Sequence, residues 1–514
     1  MKRLQSLLLL LMVALTRLTA QPVISSQPID QTVALGGTAT FSVTATGTGP
    51  FTYQWRFNGT NLPNNIITTV AGDGASNGSF TNNIPATNAI LGLVDNLAMD
   101  RLDNLFLADS TYLRIRELTT NGILKTVAGT NNSNYPGDGT PATSAGIAAP
   151  SGVVVDSLGN FFYSDSGPSH FVVRKVDTNG IVITVAGKLL AAGSSGDGGP
   201  ATNALLSFPQ GLTLDSSENL YIADNGNARV RRVDTNGIIT TIAGGGADTN
   251  DNIPATSASI AVNGVKFDSK GNLYLFASSV IRKIDTNGII TTLAGKFAHY
   301  GFSGDGGPAT NAILFVSYGI AFDVNDNLFF ADNGNHRIRR IDTNGIITTV
   351  VGNGSRGFSG DGGAATDASL NNPYDVAFDS VGNLFIGDQR NNRIRKVYFG
   401  GLPSRLVSNV TENNAGTYQV IVTSPSGSIT SSVAMLFVPP QIQTSGPVFG
   451  LHSNIFGFNV SGSSNQVVVI ESSTNLTASQ WVQLQTNILT TNTIYFSDPD
   501  WTNFSGRYYR VHSP

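Results

Sequence analysis

Aspartate residues recur at the end of a short apolar run, and the loops that follow them carry Asn, His and Arg. Carboxylate, amide, imidazole and guanidinium groups on adjacent loops can hold a polar ligand through hydrogen bonds and charge. We therefore take the loops after these runs as the candidate binding face. The aspartates are Asp109, Asp165, Asp224, Asp332 and Asp388. The candidate residues are Asp224, Asn225, Asn227, Arg229, Asp332, Asn333, Asn335, His336, Arg337, Asp388, Arg390 and Asn391.

These aspartates also have a structural interpretation. Each could form an ion pair that locks neighbouring units together, Asp224 with Arg229 or Asp332 with Arg337. A single histidine such as His336 is more often exposed or packed than catalytic. Both interpretations remain open at the level of the sequence.

The residues do not predict a metal or a cofactor. A zinc site needs three or four converging His, Cys or acidic ligands, and the chain has 5 His and no Cys. The loops around Asp197, Asp305 and Asp361 repeat a Gly-Asp-Gly pattern, but each supplies too few carboxylates for calcium.

One repeated unit positions the candidate residues. Its clearest copy, residues 319–352, alternates apolar and polar residues, and predicts four antiparallel strands at Ile320–Phe322, Leu328–Ala331, Arg337–Ile341 and Ile346–Val350. The joins contain Asp, Asn and Gly, and the Asn344-Gly345 pair suits a tight hairpin.

The repeat predicts a β-propeller with six blades. The glycine that ends the fourth run recurs at Gly72, Gly129, Gly187, Gly244, Gly295 and Gly352. One four-stranded sheet per period is typical of propellers, whose blades bury their faces against each other. Because residues 66–71 precede any first strand and the last copy ends at Val397 without a fourth strand, we expect residues 66–71 to complete the last blade.

The repeats resemble the NHL-repeat family over roughly residues 66–398. The Asn-His segment that names the family appears at Asn335-His336-Arg337-Ile338, with variants at Asn227 and Asn392. The blade around Asp268 is shorter and lacks the Asp and Asn-rich turn, and the blade around Asp165 also departs. The resemblance implies a six-bladed propeller, and related enzymes hold a catalytic metal or acid–base group in the central channel.

The channel should be lined by the first strand of each blade. Their inward positions are apolar apart from Lys266, and no His or Glu lies there. This pattern argues against metal-dependent hydrolase or lyase chemistry. An aspartate closes each first strand, and we expect it to bond the backbone of the following turn. These six are Asp100, Asp156, Asp215, Asp268, Asp323 and Asp379.

The ends of the chain predict export and two further domains. Residues 1–20 have a basic start, a short apolar run and a small residue at the end, as in a secretory signal peptide. Residues 21–64 and 401–439 resemble the two halves of an immunoglobulin-like domain, with Trp55 on the third strand and a tyrosine-corner segment at Tyr418. The propeller, residues 65–400, would be inserted between these halves, and residues 440–514 resemble a C-terminal β-sandwich module of secreted bacterial proteins.

The sequence therefore predicts an all-β protein: an NHL-like six-bladed propeller, a split immunoglobulin-like sandwich and a small C-terminal sandwich. With a net charge of −4 and no basic patch, we exclude a nucleic-acid partner, and no stretch is long enough to span a membrane. The first hypothesis is a non-catalytic binding or scaffold protein, secreted or in the cell envelope, that meets a protein, peptide or glycan. The alternatives are a lyase- or lactonase-like, metal-dependent enzyme acting in the channel, and a purely structural matrix component.

Overall fold

The computed structural model describes residues 20–76, 82–277, 279–316, 319–407, 410–444, 448–452, 455–463, 466–477, 480–491, 493–504 and 506–514. The chain divides into two compact units, Asn65–Phe399 and the combination of Met1–Asn64 with Gly400–Pro514. Nearly all of the predicted signal peptide lies outside the described residues. No helix in the described part of the chain has the length and apolar character to cross a membrane.

The unit Asn65–Phe399 is a β-propeller, as predicted. Its described residues form six antiparallel blades, each with four main strands that follow one another from the axis of the ring outward. Blade 1 has Val94–Met99, Leu105–Asp109, Arg114–Leu118 and Ile123–Ala128; blade 2 has Pro150–Val155, Phe161–Asp165, His170–Val176 and Ile181–Leu189; blade 3 has Pro209–Leu214, Leu220–Asp224, Arg229–Val233 and Ile239–Gly244. Blade 4 has Gly264–Phe267, Leu273–Ala277, Val280–Ile284 and Ile289–Gly295; blade 5 has Ile320–Phe322, Leu328–Asp332, Arg337–Ile341 and Ile347–Val351; blade 6 has Pro373–Phe378, Leu384–Asp388, Arg393–Tyr398 and Ile66–Ala71.

The outer strand of blade 6 comes from the start of the propeller. Ile66–Ala71 pairs antiparallel with Arg393–Tyr398, with Val397 opposite Ile67 and Lys396 opposite Thr68. Ile67 is fully buried in the core that blade 6 shares with blade 5. The predicted circular closure is therefore confirmed.

Polar contacts reinforce the junction between blades 6 and 1. Near the axis, Asp375 Oδ2 accepts hydrogen bonds from Asn96 Nδ2 at 2.6 Å and from the Leu97 amide at 2.7 Å. At the far ends of the first strands, the Ser380 amide donates to Asp103 Oδ1 at 2.8 Å. The two blades are distant in sequence. These bonds therefore stabilise the closure of the ring and not a single blade.

The connection from each fourth strand to the next first strand contains a single turn of 3-10 helix. Its first residue is an alanine with at most 2% exposure, so a larger side chain would not fit between the blades. These turns are Ala86–Asn88, Ala142–Ser144, Ala201–Asn203, Ala255–Ser257, Ala309–Asn311 and Ala365–Asp367. Before three of them, a short fifth strand pairs with the fourth strand of its blade, at Ile84–Pro85, Thr140–Pro141 and Ile253–Pro254.

The aspartates that close the first strands stabilise turns, as the sequence predicted. In blade 5, Asp323 Oδ1 accepts from the amides of Asn325 and Asn327, both at 2.9 Å, and its Oδ2 accepts from Asn327 Nδ2 at 2.8 Å. This turn and the one between the third and fourth strands lie on one face of the ring, which we call the hairpin face. The loops after the second and fourth strands begin on the opposite face, the loop face, because consecutive antiparallel strands alternate in direction.

In the other unit, residues before and after the propeller share one sheet. Thr52–Phe57 pairs with Gly416–Ser424, Trp55 Nε1 donates to the Leu402 carbonyl at 2.9 Å, and Tyr418 Oη donates to the Asn414 carbonyl at 3.0 Å. This sheet runs Gln31–Thr32, Ala434–Phe437, Gly416–Ser424, Thr52–Phe57 and Thr60–Asn61, with Gly427–Thr430 also on Gly416–Ser424. Separate pairs join Val23–Ser26 to Thr44–Thr46 and Ala39–Ser42 to Ser404–Val407, and Glu412–Asn414 is a 3-10 turn.

The C-terminal residues of this unit form two further sheets around a small core. Phe458, Val468 and Ile470 are buried between them. One sheet comprises Gln441–Gln443, Ile455–Ser461, Gly450–His452 and Thr493–Asp498; the other comprises Val482–Ile488, Val467–Ser473 and Tyr508–His512, and Trp501–Asn503 is a 3-10 turn.

Candidate functional site

A buried ion-pair cluster, which we call the clasp, underlies the loop face of blade 5. Asp332 and Arg339 have no solvent exposure, and Arg339 Nη1 lies 3.2 Å from Asp332 Oδ2. Arg339 Nη2 reaches Asp305 Oδ1 at 2.8 Å, in the loop that enters the blade. The Phe315 amide donates to Asp332 Oδ1 at 2.7 Å. One arginine therefore joins the second strand, the third strand and the incoming loop.

The clasp recurs in blades 3 and 6 with equivalent atoms. Arg231 lies 3.3 Å from Asp224 and 2.8 Å from Asp197. Arg395 lies 3.3 Å from Asp388 and 2.6 Å from Asp361. The repeated Gly-Asp-Gly loops thus use their aspartates to bind arginine.

The arginine partners observed in the clasps differ from those predicted from the sequence. The sequence pairs the aspartates with Arg229 and Arg337, but the partners are Arg231 and Arg339, two residues later. Arg229 and Arg337 are half-buried, and the Arg337 guanidinium stacks on Phe302 at 4.1 Å from the ring centroid. Each cluster also lies within one blade and its incoming loop instead of linking two blades.

The two blades whose sequences depart from the repeat have altered clasps. In blade 4, Arg282 keeps the loop partner Asp251 at 3.0 Å, while alanine occupies the second-strand position. In blade 2, Asp165 contacts His170 Nδ1 at 2.8 Å, and the buried Arg174 stacks on Tyr135. In blade 1, Arg116 is buried and donates to the Ile90 carbonyl at 2.7 Å.

Burial governs the titration of the clasp carboxylates. It raises the pKa of Asp332, although hydrogen bonds and the Arg339 charge act in the opposite direction. It raises the pKa of Asp388 to about 6 for the same reason. Because a carboxylate is costly to bury without compensation, these groups depend on their arginines.

The asparagines of the candidate set hold the loops in place. Asn227 donates to Asp224 at 2.7 Å, Asn335 to Asp332 at 2.7 Å and Asn391 to Asp388 at 2.8 Å. The same three amides also reach the carbonyl oxygens of Gly193, Gly301 and Gly357 in the incoming loops. Asn225 and Asn333 bind the next blade, through the carbonyl oxygens of Val262 and Pro373.

His336 has a structural contact of its own. Its Nδ1 accepts a hydrogen bond from the Asn372 amide at 3.2 Å, so the neutral ring fits this place. Burial lowers the pKa of His336, and the nearby Arg356 charge lowers it further. The histidine joins the loop of blade 5 to the start of blade 6.

The structure therefore separates the candidate residues into two groups. The aspartates and asparagines are structural groups beneath the loop face. Arg390 is exposed on its surface, together with Arg356, whose Nε donates to Asn371 Oδ1 at 3.2 Å. His336 and Arg337 are partly accessible beside them.

Sequence reasoning missed the aromatic side chains of the loop face. Within the described part of the propeller, every exposed aromatic ring lies in a connection between a fourth and a first strand, and each is 41–56% exposed. These rings are Phe208, Phe297, Tyr300, Phe302, Phe315 and Phe358. The sequence contains a signal for them, because aromatic residues in long Gly-rich loops are outside the strands whose side chains form the core.

The central channel is narrow where the first strands approach one another most closely. Four first strands carry glycine at one equivalent position, Gly152, Gly211, Gly264 and Gly319, and a Cβ on Gly211 would lie 2.6 Å from the Gly264 Cα. Blades 1 and 6 carry Asn96 and Asp375 at that position. Both residues line one cavity with Lys266, a grouping that the sequence pattern alone does not predict. The cavity between these groups has a volume of about 20 Å³, enough for one water molecule.

The charges in the channel are perturbed by burial. It raises the pKa of Asp375 to about 7 and lowers the pKa of Lys266, while the attraction between the two groups opposes both shifts. In the residues that the structure describes, no three His, Asp or Glu side chains lie close enough to hold a metal ion.

Part of the chain matches known proteins. The family model of the Teneurin NHL domain matches residues 190–266 and 299–359. Teneurin-4 of Mus musculus is 31% identical over 227 residues, which is 39% of this chain and 8% of teneurin-4. Teneurin-m of Drosophila melanogaster is 26% identical over 334 residues, which is 57% of this chain and 12% of teneurin-m. The chain thus spans only about a tenth of these relatives.

Solved structures with a similar outline are more distant. An auxiliary nutrient binding protein from Bacteroides thetaiotaomicron has a TM-score of 0.49 and 15% identity, covering 73% of this chain and 97% of that one. A streptogramin B lyase has a TM-score of 0.37 and 15% identity, covering 74% and 97%. These similarities are too low to carry an argument about function. The blade pattern and the family match together identify the central unit as an NHL-type β-propeller.

Proposed function

We propose that the protein is a non-catalytic binding protein whose propeller meets a protein partner through the loop face. The observation that carries this proposal is the position of the exposed aromatic rings, which lie only on that face within the described propeller. Aromatic side chains and arginine are enriched at the centres of protein interfaces, where they supply most of the binding energy. Arg356 and Arg390 are exposed on the same face.

The clasps suit this role because they fix the loops that carry the rings. Phe302 stacks on Arg339 at 4.8 Å, and Phe358 stacks on Arg395 at 4.8 Å, so two exposed rings rest on clasp arginines. A ring that is already held in place loses less conformational entropy on binding. The loop face is therefore preorganised for a partner.

The wider setting belongs to the same proposal. Residues 1–20 would direct export, so the protein would act outside the cell or in its envelope, as in bacterial proteins of this build. The split immunoglobulin-like domain, residues 21–64 and 401–439, is supported by the shared sheet and by the Tyr418 bond to Asn414. Residues 440–514 would form a separate C-terminal module.

A channel enzyme of the lyase or lactonase kind is the second candidate, and the channel dimensions weigh against it. The groups that could act as acid and base, Asp375 and Lys266, face a space that holds about one water molecule. A molecule larger than water does not fit in that space. We therefore place the function on the loop face.

Two matched variants test the loop face. Arg390→Ala with Tyr300→Ser removes an exposed cation and a ring that is 56% exposed. Leu158→Ser with Val324→Ser removes two apolar side chains on the hairpin face, which are 77% and 91% exposed. Each full-length protein is immobilised, and extracellular and envelope proteins of the source cells are captured, identified and titrated.

We expect the loop-face variant to bind the captured partner about tenfold or more weakly, since truncated hot-spot residues cost about 2 kcal/mol. The hairpin-face variant should bind as the unaltered protein does. Equal binding by all three proteins would refute the loop face, and so would equal loss by both variants. Thermal melting of each variant shows whether the fold is kept.

A further inference from the structure

An aromatic side chain projects between blades at one equivalent position of every second strand. In blades 3, 4 and 5 this ring packs against a phenylalanine that ends the first strand of the next blade. The pairs are Tyr221 with Phe267 at 4.8 Å, Tyr274 with Phe322 at 4.9 Å and Phe329 with Phe378 at 4.9 Å. Between blades 1 and 2, Phe106 meets Phe161 instead, at 5.2 Å. Ring pairs thus fill four of the blade interfaces that the structure describes.

The interfaces between blades 2 and 3 and between blades 6 and 1 have no such pair among the described residues. Phe162 of blade 2 packs in one core with Leu214, and Phe385 of blade 6 packs in one core with Met99. Leu214 and Met99 occupy the position that holds phenylalanine in blades 4, 5 and 6. Each of these interfaces therefore lacks one aromatic ring.

A groove opens at each of these two interfaces. The groove between blades 2 and 3 has a volume of about 460 Å³, and the groove between blades 6 and 1 has about 530 Å³. Volumes in this range are typical of small-molecule sites. The lining is equivalent in both grooves. It comprises the aromatic ring, a leucine on the second strand of the next blade (Leu220 or Leu105) and the turn before the fourth strand of that blade.

Both grooves contain a lysine–aspartate pair above the ring. Lys175 lies 3.3 Å from Asp156 and 5.0 Å from the centre of Phe162. Lys396 lies 2.9 Å from Asp379 and 4.6 Å from the centre of Phe385. Additional carboxylates make both grooves negative overall: Glu218 and Asp234 line the first, and Asp103 lines the second.

We propose that these two grooves are binding sites for a ligand in which an aromatic ring stands next to a positive charge. The ring would lie against Phe162 or Phe385, which line the two grooves and have no aromatic partner from the next blade among the described residues. The excess of carboxylates selects a cation over an anion. The grooves lie between blades and not on the loop face, so this inference does not depend on the partner proposed there.

The probe is 4-fluorophenethylamine, titrated into the full-length protein and followed by fluorine NMR. Val185→Phe adds bulk to the lining of the first groove, and Val70→Phe does so at the equivalent position of the second. We expect the saturable signal to fall by about half in each single variant and to vanish in the double variant. 4-Fluorophenylacetate, with the same ring and the opposite charge, should bind at least about threefold more weakly.

A charge variant covers the case in which an added phenylalanine disturbs folding. Asp234→Thr installs the residue that blade 1 has at the equivalent turn position, Thr119, and removes one negative charge from the first groove. It should weaken binding of the amine in that groove about threefold. No saturable binding by the unaltered protein, unchanged binding by the folded double variant, or equal binding of the amine and the carboxylate would each overturn the proposal.

Discussion

Replacing Asp332 by alanine should lower the free energy of unfolding of the propeller by about 3–5 kcal/mol, because it breaks a fully buried ion pair and leaves Arg339 without its buried partner. Asp305 would remain, but 35% of its side chain is exposed and solvent screens it. The loss also leaves the Phe315 amide without this acceptor and removes one of the two hydrogen bonds of the Asn335 side chain. Denaturant unfolding measured on the full-length protein gives the difference.

Arg337→Ala is the matched control for this prediction. Arg337 lies two residues before Arg339 and is half-buried. Its guanidinium stacks on Phe302 and donates to the Asn353 carbonyl. We expect it to cost only about 1 kcal/mol, as for other partly exposed contacts. If Asp332→Ala and Arg337→Ala destabilised the protein equally, the clasp would not have the role described. Asp332→Ala with Arg339→Met should recover part of the lost stability, since no buried charge remains.

Ile67→Asp should destabilise the propeller by at least about 4 kcal/mol, because it places a carboxylate in the apolar core between blades 5 and 6. Ile67 has no solvent exposure. Its amide donates a hydrogen bond to the Gly363 carbonyl, and its carbonyl accepts one from the Gly362 amide. Thr68→Asp, one residue later, places the same charge on a half-buried position opposite Lys396 and should be nearly neutral. Similar melting temperatures for the two variants would show that residues 66–71 are not part of the ring core.

The fold could be predicted from the sequence because each blade is specified locally. Period-two alternation and Asn-Gly turns define four strands in each of the first five copies, and the early fourth-strand run at Ile66–Ala71 indicates how the ring closes. The predicted strand bounds in blade 5 differ from the observed ones by one residue at most. The repeated Ala-Thr turns before the first strands were overlooked, although the sequence shows them, and so were the short fifth strands before three of these turns.

The clasp partners could not be predicted, for a physical reason. Arg337 and Arg339 are two residues apart on one strand, so their side chains point to the same face and the pattern does not distinguish them. Burial distinguishes them, and it depends on the loop at Asp305, which lies 34 residues away in sequence. The channel pair was missed because Asp375 stands where four of the other blades have glycine, a comparison that becomes meaningful only once the first strands are aligned around the axis.

The loop face and both grooves depend on a ring closed by Ile66–Ala71, and a disulfide across that pairing tests it most directly. The chain contains no cysteine, so Thr68→Cys with Lys396→Cys introduces one pair at directly opposite positions. Thr68→Cys with Arg340→Cys uses the equivalent position of blade 5 as the control. We predict that mild oxidation of the folded protein links residues 68 and 396 nearly completely and leaves 68 and 340 unlinked. Failure of the first pair to form, or equal linkage of both, would contradict the closed ring.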